Sequence, residues 1–182
     1  ALIDLTESFM DAYAQKKSEK CIIDFNDLEH FALQILVKKE ETKVTPTPVA
    51  IEYSHHFVEI LVDEYQDSNG VQETILNSIT REREGCPNLF MVGDVKQSIY
   101  KFRMARPELF MEKYNTYSLT EGLYQRIDLA KNFRSRAVVL ESVNSIFEKI
   151  MEKSLGNIDY DKRAALYVGN TDFPMGENVS TD

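Results

Sequence analysis

Two carboxylates, Asp63 and Glu64, follow the apolar run Ile60-Leu61-Val62. Where a buried parallel strand meets its crevice, such a pair lets one acid hold magnesium and the other polarise an attacking water. Acids also follow strands simply because the chain returns to solvent, so further groups must join the pair. A second run, Val92-Gly93-Asp94-Val95-Lys96-Gln97-Ser98-Ile99-Tyr100-Lys101-Phe102-Arg103, offers an amide, a hydroxyl, bases and aromatic rings just past a glycine turn. The neutral amide of Gln97 can sense a phosphate. Lys96, Lys101, Arg103 and Arg106 lie in a stretch with no acid between Asp94 and Glu108, which makes the segment locally cationic. Tyr100 and Phe102 alternate with those bases, and single-strand binding uses such rings, each stacked base contributing on the order of 1–3 kcal/mol. The alternative is that both rings are core and the bases a solvated face. The third run is Leu129-Ala130-Lys131-Asn132-Phe133-Arg134-Ser135, whose arginine either stabilises charge on a transferring phosphoryl group or is an ordinary residue of a first helical turn.

The elements that must position these groups are read from periodicity. Leu2, Leu5, Phe9 and Tyr13 share one helical face, and Leu28, Phe31, Ala32 and Ile35 share another behind Asp24 as N-cap. Two prolines among threonines from Thr42 to Pro48 predict a loop, and residues 42–57 as a whole are expected to link these helices to a core that begins at Val58. Val58 to Val62 suits a buried strand. Asn69 to Gln72 has capping-box spacing ahead of Val71, Ile75, Leu76 and Ile79, a third helix that Gly85 and Pro87 interrupt. Leu89 to Val92 is a second buried strand, and Tyr124 to Leu129 alternates as a third. Val139, Val143, Ile146, Phe147 and Ile150 form a helical stripe with Ser135 placed to cap it. Apolar strands separated by helices predict an α/β fold, a parallel sheet covered on both faces, with ligands beyond the carboxyl ends of its strands.

Composition narrows the function classes. With 182 residues, 43% of them hydrophobic, the chain is about one domain long and can bury a core. Its apolar runs are too short to cross a bilayer, and its first residues lack a basic segment leading into an apolar one. The two cysteines, Cys21 and Cys86, and the three histidines, His30, His55 and His56, lack the spacing of a zinc site or a disulfide framework. Reduced thiols and a cytoplasmic location are expected. Thirty acids against 21 bases give a net charge of −9, so the field of the whole chain repels nucleic acid and any DNA contact must come from a local patch.

Taken together, Val62-Asp63-Glu64-Tyr65-Gln66-Asp67-Ser68-Asn69, Gly93 through Tyr100 and Asn132-Phe133-Arg134-Ser135 resemble motifs II, III and IV of superfamily 1 helicases of the UvrD/Rep type, in order and with suitable spacing. The form Asp94-Val95-Lys96-Gln97-Ser98-Ile99-Tyr100-Lys101-Phe102-Arg103, with Pro107-Glu108-Leu109-Phe110 after it, is similar to the AddA (RecB-like) subunits of bacterial helicase-nucleases. Tyr160-Asp161, Ala164 through Tyr167, and Asp24 through Leu28 extend the likeness over most of the chain.

The resemblance implies a partial RecA-like fold of the P-loop NTPase class, with a helical segment over 1–41, a core over 58–135 and the start of a following domain over 136–182. It implies that Asp63 coordinates magnesium, Glu64 is the general base, Gln97 senses the γ-phosphate and Arg134 contacts that phosphate in the transition state. Phe133 packs on adenine, Gln66 and Asp67 link the nucleotide site to neighbouring motifs, and Arg103 supports both sites. Tyr100, Phe102 and Lys101 meet single-stranded DNA, with Phe102 standing where UvrD-like members usually carry tryptophan. ATP and magnesium belong to the parent, as does an AddB-like partner subunit, and the parent unwinds DNA in double-strand-break repair. The Gly-x-x-x-x-Gly-Lys-Ser/Thr phosphate loop does not occur in this sequence, nor do recognisable nuclease carboxylates. The chain therefore reads as an internal piece that lacks the phosphate-loop strand, is inactive alone, holds no cofactor tightly, and self-associates through an exposed strand edge. Two other readings stand beside it: a non-catalytic scaffold or partner-binding module, and a metal-dependent phosphohydrolase built on Asp63 and Glu64, which lacks further metal ligands at sensible spacing.

Overall fold

The structure is a computed structural model that describes residues 1–40, 43–98, 104–152 and 158–170. The chain opens with α1 (Leu2–Lys20), which ends at Cys21 in the left-handed conformation. Lys17, in its last turn, reaches Asp27 at 2.6 Å and Asp24 at 3.0 Å, fastening α1 to the next helix. That helix, α2 (Phe25–Leu36), begins where expected: Asp24 accepts the Asp27 amide while Asp27 accepts the Asp24 amide. The stripe read on α1 is present as a helix, but none of its apolar residues is buried.

The segment expected to be a linker, 42–57, is built differently. β1 (Val37–Glu40) and β2 (Lys43–Pro46) form an antiparallel hairpin, and α3 (Pro48–His56) comes at once after it. The prolines carry the reason. Pro46 closes the hairpin opposite Val37, while Pro48 takes the first helical position, where its missing amide costs nothing, behind Thr47 as N-cap. Thr47 Oγ1 accepts the Ala50 amide and donates to the Ile35 carbonyl at 2.7 Å, joining α3 to α2, and Ala50 and Ser54 are buried.

β3 (Ile60–Val62) and β4 (Leu89–Met91) are parallel, in register Ile60 to Leu89 and Val62 to Met91, with α4 (Gly70–Ile79) between them in sequence. Asn69 caps α4 by accepting the amides of Val71 and Gln72, as its spacing predicts. The sheet is covered on one face only. Leu61 and Phe90, adjacent across the ladder, are 70% and 55% exposed, which corrects the expectation of cover on both faces. α5 (Pro107–Thr116) packs on the turn after β3.

The third strand lies later than its alternation predicted. Within Tyr124 to Leu129 only Gln125 forms an isolated bridge, to Ser118, because Arg126 holds the segment in an irregular path. Its guanidinium lies 4.0 Å from the Tyr114 ring centroid, donates to the Tyr114 carbonyl, and pairs with Asp128 at 2.9 Å. The strand is instead β5 (Lys131–Asn132), parallel to β6 (Tyr167–Val168). α6 (Ala137–Ile150) starts after Arg136 without a side-chain cap. Ser135 does not cap it, since the Ser135 amide turns back to Asn132 Oδ1 at 2.8 Å. Asn144 of α6 then binds the returning chain, taking the Leu166 amide and the Tyr160 hydroxyl and donating to the Leu166 carbonyl. No helix among the described residues is long and apolar enough to cross a membrane. The fold is mixed α/β with small parallel sheets.

Candidate functional site

β3 runs out at Asp63 and Glu64, both exposed, and Glu64 then adopts φ 50°, ψ 39°. A non-glycine residue pays on the order of 1–2 kcal/mol for that left-handed conformation, so its neighbours must hold it. Tyr65 is wholly buried, and its amide donates to the Val92 carbonyl at 2.9 Å, extending the β3–β4 ladder past the turn. Its hydroxyl donates to Glu73 of α4. Glu73 also receives Lys113 of α5 at 2.8 Å and the Asn77 amide at 3.2 Å, while the Lys113 ammonium sits 5.1 Å from the Tyr65 ring centroid. Burial, followed by the Glu73 hydrogen bond, pushes the Tyr65 phenol well above its usual range. Burial alone works against the Glu73 carboxylate, but the hydrogen bonds from Lys113 and Tyr65 outweigh it and hold its pKa below the ordinary value.

The next side chain joins the two strand ends. Gln66 is also 0% exposed; its Nε2 donates to Glu64 Oε2 at 2.7 Å and its Oε1 accepts the Asp94 amide at 3.0 Å. Room for it depends on Gly93: a Cβ there would stand 2.6 Å from Gln66 Oε1 and 3.0 Å from the Phe110 ring. Asp63 Oδ1 accepts the Glu64 amide at 2.9 Å. Asp67 is held above the usual carboxylate range by burial and then by the Glu64 charge, and its Oδ1 is buried with no hydrogen-bond partner. On the β4 side, Asp94 accepts the Lys96 amide, pairs with the Lys96 ammonium at 2.8 Å, and accepts the exposed Gln97 amide group at 3.1 Å.

Of the residues singled out from sequence, Asp63, Glu64, Gln66, Asp67, Asp94 and Gln97 therefore gather around the ends of β3 and β4. Phe133 and Arg134 occupy the turn after β5, where Asn132 Oδ1 accepts the Arg134 amide at 2.9 Å. Both are exposed, and the Phe133 ring lies against Gly169, within 2.8 Å of where a Cβ would be. Among the described residues no hydrogen bond or ion pair joins them to the first cluster. Tyr100, Lys101, Phe102 and Arg103 lie outside the described residues. β4 also lines a cleft of about 400 Å³ walled by Phe110, Tyr114, Tyr117, Ile127 and Leu129. Sequence reasoning missed Tyr65, Glu73 and Lys113. Glu73 and Lys113 stand 40 positions apart on different helices, with nothing in the local pattern to pair them.

Comparison with known proteins gives a concordant result. The family described as UvrD/REP helicase N-terminal domain matches residues 2–118. Proteins named as the AddA-type subunit of an ATP-dependent helicase/nuclease are similar along nearly the whole chain. That of Lachnoclostridium phytofermentans is 63% identical over 168 residues, covering 92% of this chain and 12% of the relative. That of a Thermoanaerobacter species is 57% identical over 183 residues, covering 99% and 15%, and that of Clostridium botulinum is 51% identical over 179 residues, covering 98% and 14%. The chain thus spans about one seventh of the length of these relatives.

Two expected outcomes rest on the packing. Gly93→Ala lowers unfolding free energy by about 1–3 kcal/mol, read from the urea midpoint, because backbone and a buried ring must move to admit the methyl group. The depressed Glu73 pKa gives the second. Below its ordinary value of 4.5 the unfolded chain binds a proton there that the folded chain does not. The stability this supplies is complete above that pH and disappears as pH falls through the lower folded value. Glu73→Gln removes that share of the acid sensitivity, and midpoints measured from neutral pH downward for both proteins would converge in acid.

Proposed function

The chain belongs to the UvrD/REP helicase family, and on that premise we propose that it is the part of an ATP-dependent helicase/nuclease that activates water for ATP hydrolysis and couples it to movement along DNA. The observation that carries this reading is the junction of Glu64 and Asp94 through buried Gln66, which sets a solvent-facing carboxylate pair beside a second strand end bearing an exposed amide. Parallel strands present ligand-binding groups at that end of a sheet. The core over 58–135 is RecA-like in this reading, with the helical segment over 1–41 before it and the next domain beginning within 136–182.

The residues fit a magnesium nucleotide. Asp67 Oδ1 is buried without a partner, and three acids, Asp63, Glu64 and Asp67, crowd one strand end. Among the described residues there is no cluster of three side chains able to hold a metal alone, which suits an ion carried largely by phosphates and one or two carboxylates. When bound, magnesium neutralises charge on the phosphates. Asp63 is the residue that would hold it. Glu64 orients the water and accepts its proton. Gln97, now hydrogen-bonded to Asp94, contacts the terminal phosphate; Arg134 offsets its charge, and exposed Phe133 stacks on the adenine. Tyr100, Phe102 and Lys101 engage single-stranded DNA, and Arg103 supports both sites.

The phosphate loop, the remaining motor domain, the nuclease centre and an AddB-like partner lie elsewhere in the assembly, so the 182-residue chain alone hydrolyses no ATP and retains no nucleotide. Cytoplasmic double-strand-break repair is the setting that this activity suits. The isolated chain self-associates through its bare sheet face and through β4, which pairs with β3 alone among the described residues. Light scattering across a concentration series is expected to give a mass that rises with concentration, and a constant monomer mass would count against that idea. In the full-length parent protein, Glu64→Gln lowers DNA-stimulated ATP turnover on the order of 10²- to 10⁴-fold with ATP binding retained. Unchanged turnover would make the strand-end carboxylates structural and favour the partner-binding module.

A further inference from the structure

We infer that Gln66 is a positioning residue for hydrolysis: it holds the Glu64 carboxylate in its working orientation and ties that orientation to the position of the Asp94 turn, without itself touching nucleotide. The inference rests on Glu64 being the general base, and it departs from a nucleotide contact for Gln66 because the side chain is 0% exposed.

The geometry leaves Gln66 little else to do. A primary amide offers two donor hydrogens and a carbonyl acceptor. Here Nε2 donates to Glu64 Oε2 at 2.7 Å and Oε1 accepts the Asp94 amide at 3.0 Å, so opposite ends of one planar group grip the two strand ends. The amide plane is fixed from outside as well, with Gly93 leaving no space on one side and Phe110 closing the same wall. Glu64 Oε2 is thereby committed to Gln66, which leaves Oε1 to meet water and constrains the rotation of the carboxylate. A charged base at an exposed strand end otherwise samples many rotamers, and misplacement by about 1 Å can cost on the order of 100-fold in rate.

The same linkage carries position between motifs. Asp94 starts the turn that holds Gln97, and it accepts the Gln97 amide group at 3.1 Å. A displacement of that turn by a ligand at Gln97 moves the Asp94 amide, and Gln66 is the side chain that passes the displacement to Glu64. No other described hydrogen bond reaches the Glu64 carboxylate from the β4 side.

The test is ATP hydrolysis by the full-length parent protein with single-stranded DNA, in unmodified and Glu64→Gln backgrounds. Gln66→Met keeps length and loses both hydrogen bonds, whereas Gln66→Glu keeps an acceptor for the Asp94 amide and replaces only the donor to Glu64. Both are expected to lower kcat on the order of 10- to 100-fold while leaving KM for ATP unchanged. In the Glu64→Gln background neither is expected to lower the residual rate further, because a residue that acts through Glu64 has no effect once Glu64 is gone. Additive losses, a raised KM, or a loss confined to Gln66→Met would assign Gln66 to packing and overturn the proposal. Should Gln66→Met fail to fold by circular dichroism, Gln66→Glu decides alone on the same criteria. Turnover that survives Glu64→Gln would sink the assignment of the base as well, whereas an inactive Glu64→Gln beside fully active Gln66 variants would sink the positioning role only.

Discussion

A left-handed residue at the mouth of a parallel strand pair is held only if the residue after it is anchored on several sides, and Tyr65 is that anchor. Its amide continues the ladder to Val92, its ring is fully enclosed, and its hydroxyl ends on a carboxylate that Lys113 neutralises. The two helices that flank the sheet therefore meet at one phenol: α4 supplies Glu73 and α5 supplies Lys113. Removing one charged partner of such a pair leaves the other buried and uncompensated, a loss larger than the net contribution of the pair. The position of Glu64 is in this sense a property of tertiary structure far from the strand that bears it.

Gln66 makes the complementary connection. Where Tyr65 fixes the turn against the helices, Gln66 fixes the acid at its crest against the neighbouring strand end. The two adjacent side chains point into different packing environments and serve different ends, one a hydrophobic plug with a polar tip and the other a planar bridge. Asp67, one residue on, keeps an oxygen with no partner in the described structure, in keeping with a site whose ligand is the remaining partner.

Local signals were readable in the sequence. Asp24 and Asn69 cap helices because a short side chain three positions ahead of an acid or amide can satisfy backbone donors within one turn, which is visible in a single sequence. Asp63, Glu64 and Gln97 were visible for a similar reason: chemistry concentrates where apolar runs stop. The failures were failures of context. Pro48 reads as a breaker among threonines until Thr47 is recognised as its cap, and Tyr124 to Leu129 alternates like a strand although Arg126 folds back on Tyr114 instead. Ser135 sits at capping distance, but Asn132 claims its amide first. Tyr65, Glu73 and Lys113 could not be grouped at all, because their meeting is decided by how α4 and α5 pack.

Gly93 carries a further consequence, for inheritance rather than for folding. Its missing side chain is the space that the Gln66 carbonyl oxygen and the edge of the Phe110 ring occupy together. Descendants of this sequence cannot drift at these three positions one at a time: a larger residue at 93 is tolerated only where 66 or 110 has already shrunk. The glycine, the amide and the ring evolve as a unit, and a lineage that loses one member is committed to rebuilding the join between its two strand ends by other means.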